Sequence, residues 1–228
     1  MCLSDTVSFA ASGVLLVGGV YATHRAWVIN KSYVPVALMP VFAGLQQFSE
    51  GFVWAGMNTG DPSLTTVAGL WFIFFTWFMW PFWIPLSVYV LEPKHSKRKH
   101  LFWMISLAGL VFGLVLFVPH LINPDWLEVA TNQDSLTYDG TMLLDSIIPR
   151  KVSNALYLLL IIIPPLLSRY KHIRYFGMSL IAVIGIDYVF LSYAYISFFC
   201  LLAGLATVHL IYIISRNKCG LNCKTLFT

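Results

Sequence analysis

Seven long apolar segments limit most strongly what this chain can fold into. They cover residues 7–23, 34–56, 66–91, 101–119, 152–168, 174–192 and 194–215. A helix needs about 20 apolar residues to cross a bilayer, and most of the segments approach that length. The last two segments form one run that is too long for a single span, so we divide it near residues 191–195. We predict an all-α membrane protein, a seven-transmembrane-helix bundle that forms one integral membrane domain over residues 1–228.

The composition agrees with this fold class. Hydrophobic residues make up 58% of the chain and charged residues only 11%, against roughly a quarter charged in a typical soluble domain. These values exclude a soluble globular domain, a disordered chain and a disulfide scaffold. The aromatic content suits broad belts at the two membrane surfaces, and we assign the tryptophans of the third segment to such a belt.

Basic residues predict the orientation of the bundle. Positively charged residues collect on the cytoplasmic side of membrane proteins. Of the 14 basic residues, all but Arg150 and Lys151 follow the first, third, fifth and seventh segments: Arg25, Lys31, Lys94, Lys97, Arg98, Lys99, Arg169, Lys171, Arg174, Arg216, Lys218 and Lys224. We therefore predict that the N-terminus lies outside and the C-terminus lies in the cytoplasm. The basic run at 94–100 is interpreted as a stop signal beside lipid headgroups, without nucleic-acid binding.

The segment from 120 to 150 is predicted to be the long extracytoplasmic loop. It is acidic, in contrast to the basic connections that we place in the cytoplasm. Residues 129–131 and 135–140 are compatible with a short β-hairpin, and a solvated loop is the alternative.

Polar side chains inside the apolar segments are the candidate functional residues. Such side chains are costly in lipid unless they are paired or face water. In the second segment Gln46, Glu50 and Trp54 are spaced by four residues and share one helix face, with Gln47 beside them. The alternative is that they join helices through hydrogen bonds.

Candidate residues at three other places in the chain lie at the same predicted outer side as those of the second segment. Asp187 lies in the sixth segment at a depth similar to that of Glu50, and His120 lies at the outer end of the fourth segment. Cys2 and Ser4 lie at the outer boundary before the first segment. One outward-facing polar pocket would explain all of these residues.

Several kinds of site are not supported by the sequence. The spans carry no lysine, which excludes a retinal Schiff base, and no H-E-x-x-H, G-x-S-x-G or P-loop pattern is present. Since no span has two histidines four residues apart, a haem or zinc site with two histidine ligands is not expected, and His209 is interpreted as a packing residue.

Four short segments carry a resemblance. The chain starts M-C-x-S-x-x-x-S-F, has Q-Q-x-x-E-G-x-x-W at 46–54, W-P-x-W-x-P-L at 80–86 and P-P-L-L-S at 164–168. In this order the segments resemble a family of uncharacterised bacterial polytopic membrane proteins, a domain of unknown function. The chain departs from that family at Phe199, where the family has tryptophan. The resemblance implies residence in the bacterial inner (plasma) membrane and groups Cys2, Ser4, Gln47, Glu50 and Trp54, without implying a mechanism.

Three functions are left open by the sequence. In the first, the outer pocket binds or transports a small ligand, with Glu50 as charge partner, Gln46 and Gln47 as orienting amides and Trp54 packed on the ligand. The second is a metal-dependent intramembrane hydrolase, similar to the alkaline ceramidase type, although the paired H-x-x-x-H of the last span in that type is absent here. The third is a structural subunit of a membrane complex or a homo-oligomer. The sequence assigns no cofactor or metal, and the bilayer is the one partner it identifies.

Overall fold

The computed structural model describes residues 4–93, 95–132, 135–140, 143–190 and 195–216. Over these residues the chain is mainly helical. The helices are α1 (Asp5–Ile29), α2 (Val34–Ala37), α3 (Met39–Thr59), α4 (Pro62–Ile73), α5 (Trp80–Leu91), α6 (Lys97–Ile122), α7 (Arg150–Leu167), α8 (Lys171–Phe190), α9 (Tyr195–Ala206) and α10 (Val208–Arg216). A π-helical segment, Phe74–Met79, joins α4 to α5. Strands β1 (Leu127–Asn132) and β2 (Ser135–Gly140) form an antiparallel hairpin.

Four helical segments are long and apolar enough to cross a membrane: Asp5–Ile29, Pro62–Leu91, Lys97–Ile122 and Arg150–Leu167. This finding confirms the predicted all-α class and agrees with residence in a membrane. One side of α1 is apolar and exposed at Val14, Val17 and Val20, as expected of a helix that faces lipid. Its opposite face carries small residues that allow close packing against α3, namely Ser8, Ser12, Gly19, Ala22 and Ala26.

The helix that runs from α4 through the π segment to α5 is irregular, and its sequence explains why. In the π segment the Trp80 N–H donates to the carbonyl of Phe75, five residues earlier. The next bond of that series would run from Pro81 to the carbonyl of Thr76, but proline has no N–H. Instead the Tyr157 hydroxyl on α7 donates to the Thr76 carbonyl at 2.6 Å. The side chain therefore replaces the missing backbone donor and joins α7 to this helix.

The segment between α6 and α7 forms the hairpin rather than the solvated loop. Its register pairs Leu127 with Gly140 and Val129 with Tyr138. The side chains of Leu127, Leu136 and Tyr138 are buried against the helices, so the hairpin covers one end of the bundle. We call this the hairpin end. Arg150, at the start of α7, contacts Asp139 at 3.3 Å and Asp145 at 2.6 Å.

The buried core divides into two clusters along the bundle. One cluster lies at the hairpin end and contains Trp54, Phe72, Trp77, Leu116 and Cys200 together with the hairpin residues. The other lies at the opposite end and includes Tyr33, Leu91, Phe102 and Ile173. The polar side chains of the candidate site lie in or next to the first cluster.

Candidate functional site

Glu50 lies inside the bundle on the buried face of α3. Its side chain is 1% exposed, and so is that of Gln47, one helical turn earlier. The Gln47 amide donates from Nε2 to Glu50 Oε2 at 2.9 Å. Trp54, one turn further along α3, is also buried. Gln47, Glu50 and Trp54 thus lie on the buried side of α3, and Gln47 contacts Glu50 directly.

Gln46 takes part in a different set of contacts. Its Nε2 donates to Thr76 Oγ1 at 2.8 Å, and its Oε1 accepts from the Trp80 indole N–H at 2.7 Å. The Thr76 hydroxyl also donates to the Phe72 carbonyl and lies 3.7 Å from Cys200 Sγ. Gln46 therefore joins α3 to the π segment and α5, which is the helix-joining role that the sequence left as an alternative.

The hairpin adds a tyrosine to the surroundings of Glu50. Tyr138 on β2 is buried, and its ring stacks on Phe72 with the ring centres 4.3 Å apart. Burial raises the pKa of Tyr138 well above its ordinary value, and the nearby Glu50 carboxylate raises it further, as does Cys200. All three causes disfavour the charged phenolate, so the phenol is neutral and its hydroxyl can donate or accept a hydrogen bond.

Several buried polar atoms in this region have no hydrogen-bond partner among the described residues: Gln47 Oε1, Trp54 Nε1 and the Tyr138 hydroxyl. A buried polar atom without a partner costs about 1–3 kcal/mol. We call Gln47, Glu50, Trp54 and Tyr138 the Glu50 cluster. It combines a carboxylate, an amide oxygen, an indole N–H and a phenol inside an otherwise apolar core.

His120 is fully buried near the end of α6, at the hairpin end of the bundle. Its ring lies 4.9 Å from the ring of Trp77. Nδ1 is 3.0 Å from the carbonyl oxygen of Leu116, which can only accept. In the neutral ring the proton therefore sits on Nδ1, and Nε2 carries a lone pair. Nε2 has no partner among the described residues.

Gly140 explains why the hairpin can approach His120 so closely. A Cβ atom at this position would lie 2.5 Å from His120 Nε2 and 3.1 Å from the Trp126 carbonyl oxygen. Residues 136, 138 and 140 alternate along β2 and so share one face of the strand. The face that buries Tyr138 beside Glu50 thus also brings the Gly140 backbone against His120.

The remaining predicted site residues are not joined to this cluster by the described contacts. Ser4 caps α1, and its hydroxyl accepts from the Val7 N–H at 3.4 Å. Cys2 lies outside the described residues. Asp187 belongs to α8, but its side chain is outside what the structure describes.

Sequence reasoning missed Thr76, Tyr138, Tyr157 and Cys200. It also placed the tryptophans of the third segment in a surface belt, whereas Trp77 is buried in the core and Trp80 donates to Gln46. A weak signal was available at Tyr138, which occupies the same strand face as Leu136 if the hairpin forms. Nothing in the local sequence marks Thr76 or Tyr157, because their contacts depend on how distant helices pack.

The described residues contain no group of three or more histidine, cysteine, aspartate or glutamate side chains positioned to hold a metal ion. Comparison with curated proteins and with solved structures gives no match. A family profile, described as a family of unknown function (DUF6629), matches residues 1–224. Since the match covers nearly the whole sequence, the chain belongs to this family of unknown function.

Proposed function

We propose that this protein is a seven-span membrane protein that binds or transports a small ligand at the Glu50 cluster. In this proposal the hairpin end faces outward and the opposite end faces the cytoplasm of a bacterial cell. Four long apolar helices support residence in a membrane. The orientation rests on the basic residues, most of which flank the helix ends away from the hairpin.

The observation that carries the proposal is the group of buried polar atoms around Glu50. The carboxylate is 1% exposed, and the cluster also holds an amide oxygen, an indole N–H and a phenol that no described residue satisfies. Polar atoms that only join helices are expected to satisfy one another, as those of Gln46, Thr76 and Trp80 do. A bound polar molecule would supply the missing partners and offset the cost of burying them.

The chemistry of the cluster indicates the kind of ligand. The Glu50 carboxylate and Gln47 Oε1 both accept hydrogen bonds, so they suit a cationic or hydrogen-bond-donating group. The Trp54 indole donates and therefore suits an acceptor atom on the same molecule. The rings of Trp54 and Tyr138 supply faces against which a cation or a flat apolar body can pack. We propose a small molecule that carries a cationic or N–H group beside a hydrogen-bond acceptor.

Thermal unfolding of the purified protein in detergent tests this proposal. Small molecules extracted from the native cells are added to the parent protein and to Glu50→Gln, which keeps the volume of the side chain and removes the charge. We expect the extract to raise the unfolding temperature of the parent and not that of Glu50→Gln, because only the parent offers a carboxylate. Glu128→Gln on the exposed face of β1 is the matched control and should respond as the parent does.

The helix-joining alternative gives a different result. One interhelical hydrogen bond in a membrane protein is worth about 0.6 kcal/mol on average. If Glu50 only joins helices, Glu50→Gln should lie close to the parent with and without the extract. Equal behaviour of the two proteins under both conditions would contradict the proposed binding role.

A further inference from the structure

Two histidines that are distant in the sequence meet away from the Glu50 cluster. His172 lies in the first turn of α8 and His209 in α10. Their ring centres are 5.5 Å apart and the ring planes are inclined by 50°. Spacing within one helix does not reveal this pair, because each helix supplies one ring.

Each ring holds a buried nitrogen without a partner. His172 Nδ1 and His209 Nε2 accept or donate no hydrogen bond among the described residues. Both side chains are otherwise partly exposed. The neutral form of imidazole keeps a lone pair on one ring nitrogen, and this is the form that binds metals.

We propose that His172 and His209 bind a first-row divalent transition metal ion, with water completing the coordination. Metal–nitrogen bonds of about 2.0–2.1 Å place an ion about 3.2 Å from each ring centre. The observed separation of 5.5 Å between the ring centres is short enough for one ion to be bonded to both rings. Imidazole nitrogens suit Cu²⁺, Ni²⁺ and Zn²⁺, and among these Cu²⁺ binds a given nitrogen site most tightly.

The charge near His172 limits the affinity of the site for a metal ion. Lys171 precedes His172 in the sequence, and its ammonium lies 5.7 Å from the ring centre of Tyr175, whose ring in turn is 5.9 Å from that of His172. A nearby positive charge opposes the binding of a cation. With two protein ligands and this charge, the site is expected to be open and exchangeable rather than permanently occupied. A bound ion would join α8 to α10.

Copper binding to the purified full-length protein tests the site, with Cu²⁺ as the probe. The protein carries Cys2→Ser, Cys219→Ser and Cys223→Ser so that thiols outside the described residues do not bind the ion. We expect one Cu²⁺ per chain with two nitrogen ligands in its electron paramagnetic resonance spectrum. His172→Asn and His209→Asn should each weaken binding by more than about tenfold, because each removes one of the two protein ligands.

His100→Asn is the matched control, since His100 is exposed in the first turn of α6. It should bind copper as the parent does. Copper binding that is unchanged when both His172 and His209 are replaced would overturn the proposal, as would an equal loss in His100→Asn.

A measurement on the unsubstituted histidines keeps the test valid if a variant does not fold. Diethyl pyrocarbonate modifies free imidazole nitrogens, and the modified peptides are identified by mass spectrometry. We expect Cu²⁺ to reduce modification of His172 and His209 several-fold and to leave His100 unchanged. Equal modification of His172 and His209 with and without the ion would also overturn the proposal.

Discussion

Gln46 and Gln47 are neighbours in the sequence but have different surroundings. Gln46 is satisfied at both ends of its amide by Thr76 and Trp80, whereas Gln47 donates to Glu50 and keeps a buried oxygen without a described partner. The spacing on α3 predicted that both amides share a face with Glu50. It could not predict which amide joins helices, because the partners lie about 30 residues away on another helix.

At the residue scale, Gly140→Ala tests the close approach of the hairpin to His120. The added methyl group would lie 2.5 Å from His120 Nε2, so the ring or the hairpin must shift. We expect a loss of about 1–3 kcal/mol in the free energy of unfolding, which is typical of overpacking. The measurement is thermal unfolding in detergent.

Two comparisons make this result specific to the contact. Gly13→Ala in α1 has no atom within 4 Å of the new methyl group, so it should leave stability unchanged or raise it. Adding His120→Ala to Gly140→Ala removes the clashing ring, so the two changes together should cost less than the sum of their separate effects. Full additivity would show that the methyl group and the ring do not meet.

At the scale of the element, a hydrogen bond from Tyr157 joins α7 to the irregular helix that runs from α4 through the π segment to α5. The length of the third segment indicated a tilted or extended helix, and its prolines were visible in the sequence. The sequence did not show which group would donate to the Thr76 carbonyl in place of Pro81. That donor is the hydroxyl of Tyr157, which is 81 residues away on another helix.

Tyr157→Phe should therefore destabilise the bundle without changing its shape. The ring is kept and the hydroxyl that satisfies the Thr76 carbonyl is lost, which costs about 0.5–1.5 kcal/mol and more if the carbonyl stays buried without a partner. Thermal unfolding measures the change. Tyr175→Phe, at an exposed position of α8, is the control; a loss no larger than in this control would count against the bond.

The ionisation of Tyr138 provides a test of how the hairpin packs, because the pH dependence of stability reports whether this side chain is buried. The ordinary pKa of tyrosine is 10.0, and burial followed by the Glu50 carboxylate raises the pKa of Tyr138 in the folded protein well above it. Well below pH 10 the folded and unfolded states both hold the proton, so the ionisation of Tyr138 does not make stability depend on pH. Above that pH the unfolded chain releases the proton that the folded chain retains, so stability falls as the pH rises.

Tyr138→Phe removes this source of pH dependence. Between about pH 9 and pH 11 the parent should lose more stability than the variant, because only the parent has this buried phenol to ionise on unfolding. Unfolding temperatures at the two pH values give the comparison, with the exposed Tyr21→Phe as control. Parallel losses in the parent and in Tyr138→Phe would show that Tyr138 is not buried in a neutral form.

At the scale of the molecule, apolar length predicted most helices close to where they lie. The segment 101–119 corresponds to Lys97–Ile122, and 152–168 to Arg150–Leu167. The hairpin was left open, since a short alternating segment of low apolar content does not distinguish a strand from a loop. Its role beside Glu50 depends on how it packs on the helix ends, and a single sequence does not encode that packing in any local pattern.

The proposed orientation predicts which side of the membrane each loop faces. In a cysteine-free background, Glu128→Cys on the hairpin should react in intact cells with a thiol reagent that does not cross membranes, because the hairpin end is proposed to face outward. His95→Cys, within the basic run at 94–100, should react only after the cells are permeabilised. Reaction of His95→Cys alone in intact cells would show the opposite orientation. Reaction of both cysteines in intact cells would contradict the proposed orientation.

The most direct test of the central proposal is native mass spectrometry of protein released from its own membranes. The parent is predicted to carry a small molecule whose added mass disappears in Glu50→Gln and persists in Glu128→Gln, because the Glu50 carboxylate supplies the charge partner and Glu128 lies outside the cluster. A parent without any added mass, or an added mass that Glu50→Gln retains at the same occupancy, would contradict ligand binding at the Glu50 cluster.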